Sequence, residues 1–185
     1  MKILIRATNL WGYDELVRAC GGEPLPLLSQ YSIPSEEERS DQDFLPHAEV
    51  VALIEETANV LKFPEFGQKL AEYQGMEMLG PISVIARSSA TVESAFQNIA
   101  RYLYLHCPAL KLTIDTHTMA SEGLAVMKFE INDKAVRKKV QSYELSLANG
   151  MQMLRLLGGE SLSPKVVFFT HSRQGDERKY FKTFG

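Results

Sequence analysis

The sequence predicts an α+β fold, with a helical amino-terminal lobe and a small, mainly antiparallel sheet packed against long helices. Three patterns support this class. Before Pro108, apolar residues recur at three- and four-residue spacing, which is typical of amphipathic helices. After Pro108 the spacing changes to alternation, which is typical of half-buried strands. Near the end, the run Val166 to Phe169 is apolar on both faces and predicts a central strand covered on each side.

Length and composition indicate one domain. The 185 residues are 45% hydrophobic and 23% charged, as in an ordinary globular protein with a core of its own. Residues 1–79 are predicted to form the helical lobe, and residues 80–185 a helix, a hairpin, a long helix and a strand. No apolar stretch is long enough for a membrane span or a signal peptide, so we expect a cytoplasmic protein.

The amino-terminal lobe opens with a short amphipathic helix over Tyr13 to Ala19, which Gly21-Gly22 ends because glycine tolerates left-handed dihedral angles. The polar, acidic stretch Ser35 to Asp43 predicts a loop. Pro46 fits the first turn of the next helix, and Phe63-Pro64 ends it. The buried face of that helix is predicted to carry Val50, Val51, Ile54, Ala58 and Leu61.

Three further helices are predicted before residue 108. One covers Phe66 to Tyr73, and Pro81 opens the next, which runs through Ile85. Thr91 can cap the third with its hydroxyl, while Glu93 lies near the positive end of the helix dipole. The apolar stripe of this third helix comprises Val92, Ala95, Phe96, Ile99, Ala100 and Leu103.

The second half begins with a predicted antiparallel hairpin. Leu110, Leu112 and Ile114 face one way, and Ala125, Met127, Phe129 and Ile131 repeat the alternation after a polar loop from His117 to Gly123. A long helix follows, with Asp133 as its expected cap and Gly158-Gly159 as its end. Its apolar stripe from Val136 to Leu154 has two interpretations, packing onto the hairpin or forming a seam between two subunits.

Short motifs distributed over the chain resemble one known family. They include Gly21-Gly22-Glu23-Pro24, Leu79-Gly80-Pro81, Arg87-Ser88-Ser89, Ala100-Arg101-Tyr102-Leu103 and the closing Tyr180-Phe181-x-x-Phe184-Gly185. In this order and spacing the motifs resemble the amino-terminal, arabinose-binding-type sensing domain of AraC-type transcription regulators, in the branch of ornithine-utilisation and virulence regulators. The resemblance covers nearly the whole sequence.

The resemblance implies a domain that binds a small-molecule effector, can form a homodimer, and acts on a carboxy-terminal helix-turn-helix domain. That DNA-binding part is expected to be missing from this sequence, which stops at Phe184-Gly185. The charge agrees, because a net charge of -3 and a pI near 5.8 do not suit a nucleic-acid module. DNA contact is therefore expected only through the missing part.

No enzyme, cofactor or metal site is predicted. The sequence has no nucleophile elbow, no phosphate-binding loop, no paired-histidine metal motif and no dinucleotide fingerprint. The four histidines are scattered, and His106 is expected to lie at a helix end near the carbonyl groups. Cys20 and Cys107 lack the spacing of a zinc site and are expected to be buried apolar fillers.

Effector-binding candidates are polar tips on otherwise apolar faces, because small-molecule pockets combine apolar walls with a few convergent polar groups. These candidates are Arg87, Tyr102, His106, Tyr143 and His171. A pocket lined by Tyr102 and Tyr143 would favour an effector sensor. A solid core with an exposed stripe on the long helix would favour the alternative, a dimerisation or protein-binding scaffold without a small-molecule pocket. The sequence does not name the effector.

Overall fold

A computed structural model describes residues 2–185 of the chain. Within this range the chain forms eight α-helices and two two-stranded antiparallel sheets, which confirms the predicted α+β class. The helices are α1 (Tyr13–Ala19), α2 (Pro24–Gln30), α3 (His47–Val60), α4 (Phe66–Ala71), α5 (Pro81–Arg87), α6 (Val92–Tyr102), α7 (Val140–Gly158) and α8 (Glu177–Phe184). The strands are β1 (Leu4–Arg6), β2 (Phe44–Pro46), β3 (Leu110–Asp115) and β4 (Val126–Ile131).

The amino-terminal lobe is mainly helical, as predicted, but it also contains the β1–β2 sheet, with Ile5 opposite Leu45. Strands of three residues are too short to show an alternating pattern in the sequence. Helix α3 begins at His47, one position after the expected Pro46. Cys20 is exposed rather than buried because it follows the end of α1, whereas Cys107 is buried as expected.

Helix α7 is the central element of the larger hydrophobic core, where it packs against α4 and α3. Leu145 and Ala148 are each only 1% exposed. The stripe predicted to face the hairpin touches it chiefly through Tyr143, whose ring meets the Phe129 ring edge-on at 6.1 Å. The rest of the stripe is not exposed as a subunit seam would be, because Leu147 and Leu154 pack against the core.

A smaller cluster joins α5, α6 and the β3–β4 hairpin. Thr91 caps α6 as predicted, since its hydroxyl accepts a hydrogen bond from the Ser94 N–H at 3.0 Å. The hairpin register also follows the predicted alternation, with Leu112 opposite Phe129.

The start of α7 differs from the prediction. Asp133 does not cap this helix, which begins at Val140. Its carboxylate instead accepts a hydrogen bond from the Ala135 N–H at 2.9 Å and pairs with the buried His47 Nδ1 at 2.8 Å. These contacts close a turn before the helix, so the Asp133 carboxylate acts within that turn and not at the helix terminus.

The predicted strand from Val166 to Phe169 is wrong. Residues 165–176, which we call the strap, lie across α7 without pairing to any strand of the described range. Val167 and Phe169 face the core, but Val166 is 61% and Phe168 84% exposed, so one side of the segment is uncovered. The strap leads into α8, which the sequence analysis did not predict.

Candidate functional site

A cleft of about 490 Å³ lies between the end of α3, the residues around the start of α7, and the strap. This volume lies in the usual range for ligand pockets, about 300 to 1,000 Å³. The cleft is open to solvent and mixes polar with apolar groups. Its polar side chains are Glu55, Asn59, Lys62, Lys138, Gln141 and Gln174.

Helix α3 supplies one wall, because Glu55 and Asn59 lie one turn apart on the same helix face and Lys62 follows just after the helix end. The helix ends in a Schellman motif, with the Phe63 N–H bonded to the Ala58 carbonyl at 2.9 Å and the Lys62 N–H to the Asn59 carbonyl at 3.1 Å. Lys62 therefore occupies the left-handed position with a φ of 50°, where glycine or asparagine is usual.

The floor of the cleft is fixed by hydrogen bonds to the first residues of α7. Glu55 accepts a hydrogen bond from the Gln141 N–H at 2.6 Å, and burial raises the pKa of the Glu55 carboxyl. The buried Gln141 side chain accepts from the Gly67 N–H and donates to the Pro64 carbonyl, each at 2.7 Å. Hydrogen bonds from Gln141 to α3, to α4 and to the segment between them thus fix the floor of the cleft.

A buried carboxylate, Glu144, lies one turn further along α7 and is 0% exposed. The Tyr180 hydroxyl of α8 and the Gln68 amide of α4 both donate to it, the latter at 2.9 Å. The His171 Nε2 of the strap lies 3.9 Å from the same carboxylate. Burial raises the pKa of Glu144, because charged groups lose solvation energy when they leave water.

The strap is attached at a second carboxylate, Glu65, at the start of α4. Glu65 accepts a hydrogen bond from the Asp176 N–H at 2.9 Å and pairs with Lys179 at 3.0 Å. Between the two attachment points, the Gln174 N–H donates to the Tyr180 hydroxyl at 3.3 Å. A chain of hydrogen bonds therefore runs from Gln174 in the cleft through Tyr180 to Glu144.

The structure does not gather the five sequence-based candidates into one place. Arg87 lies at the surface and forms an ion pair with Glu77. Tyr102 packs against the smaller cluster, and the Tyr143 hydroxyl accepts a hydrogen bond from the Ile131 N–H at 3.3 Å. His171 belongs to the Glu144 network, beside the cleft.

His106 is at a helix end, as predicted, but its environment differs from the expected one. The side chain is 1% exposed, and burial, followed by the charges of Arg6 and His47, lowers its pKa to about 3. The imidazole is therefore neutral at pH 7, so favourable interaction of a cation with the helix dipole does not apply.

Sequence reasoning missed the cleft residues Glu55, Asn59, Lys62 and Gln174. Glu55 and Asn59 carried a signal, since they lie one turn apart beside the apolar face of α3. Nothing in the sequence placed Gln174 opposite these residues, because its position depends on how the strap packs and not on a local pattern. Among residues 2–185, no group of three or more His, Cys, Asp or Glu side chains is arranged to hold a metal ion. No helix in that range is long and apolar enough to cross a bilayer.

Comparisons with a family model and with known proteins both indicate a transcription regulator. The family model described as the arabinose-binding domain of AraC transcription regulators, N-terminal, matches residues 21–185. The chain is also 41% identical over 182 residues to the HTH-type transcriptional regulator VirS of Mycobacterium tuberculosis, in both strain CDC 1551 / Oshkosh and strain ATCC 25618 / H37Rv. The alignment covers 98% of this chain and 53% of VirS, so the chain spans about half the length of these relatives.

Proposed function

Because the chain belongs to the family of arabinose-binding-type amino-terminal domains of AraC transcription regulators, a family of regulators rather than enzymes, we propose that it senses a small-molecule effector in the cleft beside α3 and α7. The observation that carries this proposal is the convergence of polar side chains from α3, from α7 and from the strap on one concave surface. In the complete regulator, the domain would act in the cytoplasm on a helix-turn-helix half that contacts DNA.

The strap provides a route from effector to output. A ligand changes a protein only through different affinities for two arrangements, so an effector must touch a part that can move. Gln174 lines the cleft on a segment attached chiefly through Glu65, Glu144 and an aromatic contact to α8. An effector that contacts Gln174 and α3 together would favour the docked strap and, through it, one position of α8.

A thermal-shift screen of metabolites followed by calorimetry tests this location. A ligand at 100 times its dissociation constant stabilises the folded state by about 2.7 kcal/mol, which such a screen detects. For the compound found, Asn59→Ala and Gln174→Ala should each weaken binding by about 0.5 to 1.5 kcal/mol, the usual contribution of one hydrogen bond. Gln42→Ala, at an exposed position in the acidic loop, is the control and should bind normally.

The same titration separates the cleft from the location suggested by the sequence. Tyr102→Phe and Tyr143→Phe should leave the affinity unchanged, because neither residue lines the cleft. A loss in these two variants, with full affinity in Asn59→Ala and Gln174→Ala, would move the effector to the hairpin side of the molecule. Of the five sequence-based candidates, the proposal keeps His171, as part of the network that holds the strap.

A dimerising scaffold is the second candidate, and one observation favours it. Phe168 on the strap and Phe181 on α8 are 84% and 63% exposed, which leaves large apolar side chains in water. If they form a subunit interface, analytical ultracentrifugation should show a dimer that Phe168→Ser and Phe181→Ser dissociate. A monomer at all concentrations tested would remove this candidate.

A further inference from the structure

The charges around the cleft indicate which ligands it can accept. Lys62 at the end of α3 and Lys138 before α7 bring ammonium groups from two separate elements. Glu55 is the one carboxylate of the lining. It accepts a hydrogen bond from the Gln141 N–H, which partly offsets its negative charge. The 19-residue helix α7 also begins here, and its dipole adds positive potential.

The backbone of Lys62 is also uncommon, because Lys62 and Ser32 are the two non-glycine residues of the described range with a positive φ. A lysine with a φ of 50° occupies a conformation that costs a non-glycine residue of the order of 1 kcal/mol, and a glycine would hold this helix end without that cost. Strain of this kind concentrates at ligand sites, where the side chain is needed for its chemistry. The side chain of Lys62 is exposed and has no ion-pair partner within 4.0 Å in the described range, so it contributes no such pair to the fold.

Lys138 differs from its basic neighbours because its side chain lines the cleft. Lys139 is engaged in the fold, since its ammonium donates to the Ile131 carbonyl at 2.8 Å and lies over the Tyr143 ring. Arg137 is exposed and is not part of the cleft lining. Lys138 is therefore the member of this basic run that faces the cleft.

We propose that the cleft binds a small organic oxyanion, a carboxylate or a phosphate ester, between Lys62 and Lys138, with Asn59 and Gln174 as hydrogen-bonding partners. This inference rests on the proposed effector site and adds the chemical class of its ligand. A lysine ammonium is a point charge with several donors, which suits either kind of oxyanion.

Four small probe molecules test whether the charge of a ligand or its shape determines binding in the cleft. Succinate and inorganic phosphate are anions, succinamide is the neutral match of succinate, and butane-1,4-diamine is a cationic match. In two-dimensional nitrogen-15 NMR titrations of the 185-residue chain, the anions should shift the amide resonances of Asn59, Gln141 and Gln174. Succinamide and the diamine should not, and the stronger of the two anions identifies the source of the oxyanion.

Three variants test the lysines. Lys138→Gln should weaken anion binding about tenfold, which corresponds to about 1.4 kcal/mol. Arg137→Gln, one position away, is the matched control and should bind like the wild type. Lys62→Gly should lower the affinity while raising the melting temperature, because glycine relieves the left-handed strain. A residue kept only for the fold would not combine higher stability with weaker binding.

Two results would overturn the inference. One is that succinamide or the diamine shifts the amide resonances of the cleft as much as the anions do, or more. The cleft would then bind ligands of another chemical class, and the proposed function would still stand. The other is the absence of cleft shifts with both anions. The metabolite screen then decides separately whether the cleft is an effector site at all.

Discussion

Gly67 shows how a single residue sets the distance between two helices. A Cβ atom at this position would lie 2.2 Å from the Gln141 backbone carbonyl oxygen, so α4 can approach the start of α7 only through glycine. The same contact brings the Gly67 N–H to the Gln141 side chain at 2.7 Å. Close packing here therefore also fixes the floor of the cleft.

Alanine substitutions at two glycines should give opposite results. Gly67→Ala forces a clash with backbone, which cannot move as a side chain can, and should lower the free energy of unfolding by about 1 to 3 kcal/mol or more. Gly150→Ala, in the middle of α7 where the added carbon meets no other element or more distant side chain within 4 Å, should raise it by about 1 kcal/mol through helix propensity. Urea unfolding of both variants measures the difference, and equal effects would contradict the proposed contact.

His106 gives a prediction on pH. Its pKa is about 3 in the folded chain and near 6.5 when exposed, so the unfolded state binds more protons between these values. Stability from this group is present above pH 6.5 and is lost as pH falls towards 3, by at most about 1.4 kcal/mol per pH unit. In His106→Gln the unfolding free energy should fall less steeply between pH 7 and about pH 5. Identical slopes would show that the imidazole is not held neutral.

At the scale of elements, the strap and α8 depend on a few contacts with α4 and α7. Phe169 meets Tyr180 and Phe184 at ring distances of 5.8 and 5.2 Å, and these rings close the larger core from one side. Polar attachment comes from Glu65 and Glu144. The buried Glu144 is the more demanding of the two, since a buried carboxylate without partners is costly.

Tyr180→Phe tests this attachment. The change keeps the ring but removes the hydroxyl that donates to Glu144, and hydrogen bonds to charged groups contribute about 1.5 to 3 kcal/mol. Hydrogen exchange in residues 165–184 should therefore become faster, while exchange in α3 stays unchanged. Phe181→Ala, at the neighbouring exposed position, is the control and should have little effect.

At the scale of the whole molecule, α7 connects the two hydrophobic clusters. Met151 belongs to the larger cluster, Met153 to the smaller one, and Leu154 packs against both. Because one helix contributes side chains to both, neither cluster can separate without exposing part of α7. We expect the domain to unfold as one cooperative unit.

The single tryptophan allows a direct measurement. Trp11 packs against the smaller cluster, whereas far-UV circular dichroism reports mainly the helices around the larger core. Both signals should give the same urea midpoint. An earlier tryptophan transition would show that the smaller cluster unfolds independently and that α7 does not couple the two.

The α+β class, the antiparallel hairpin and the Thr91 cap could be predicted from the sequence, because they depend on the periodicity and capping chemistry of neighbouring residues. The family could be predicted too, since the order and spacing of short motifs identify it. The strap and the start of α7 could not. The apolar run Val166 to Phe169 does not indicate whether another strand lies beside it. Asp133 pairs with His47, which is 86 residues away in the sequence, so local spacing did not predict that contact.

The cleft itself was decided only by tertiary structure. Glu55, Lys62, Lys138 and Gln174 come from α3, from the loop before α7 and from the strap, so their proximity depends on how those elements pack. Local sequence determines which face of α3 is polar, but the partner of that face is set by long-range contacts such as the Gly67 approach of α4 to α7. Periodicity encodes burial, whereas a site built from separated segments needs the three-dimensional fold.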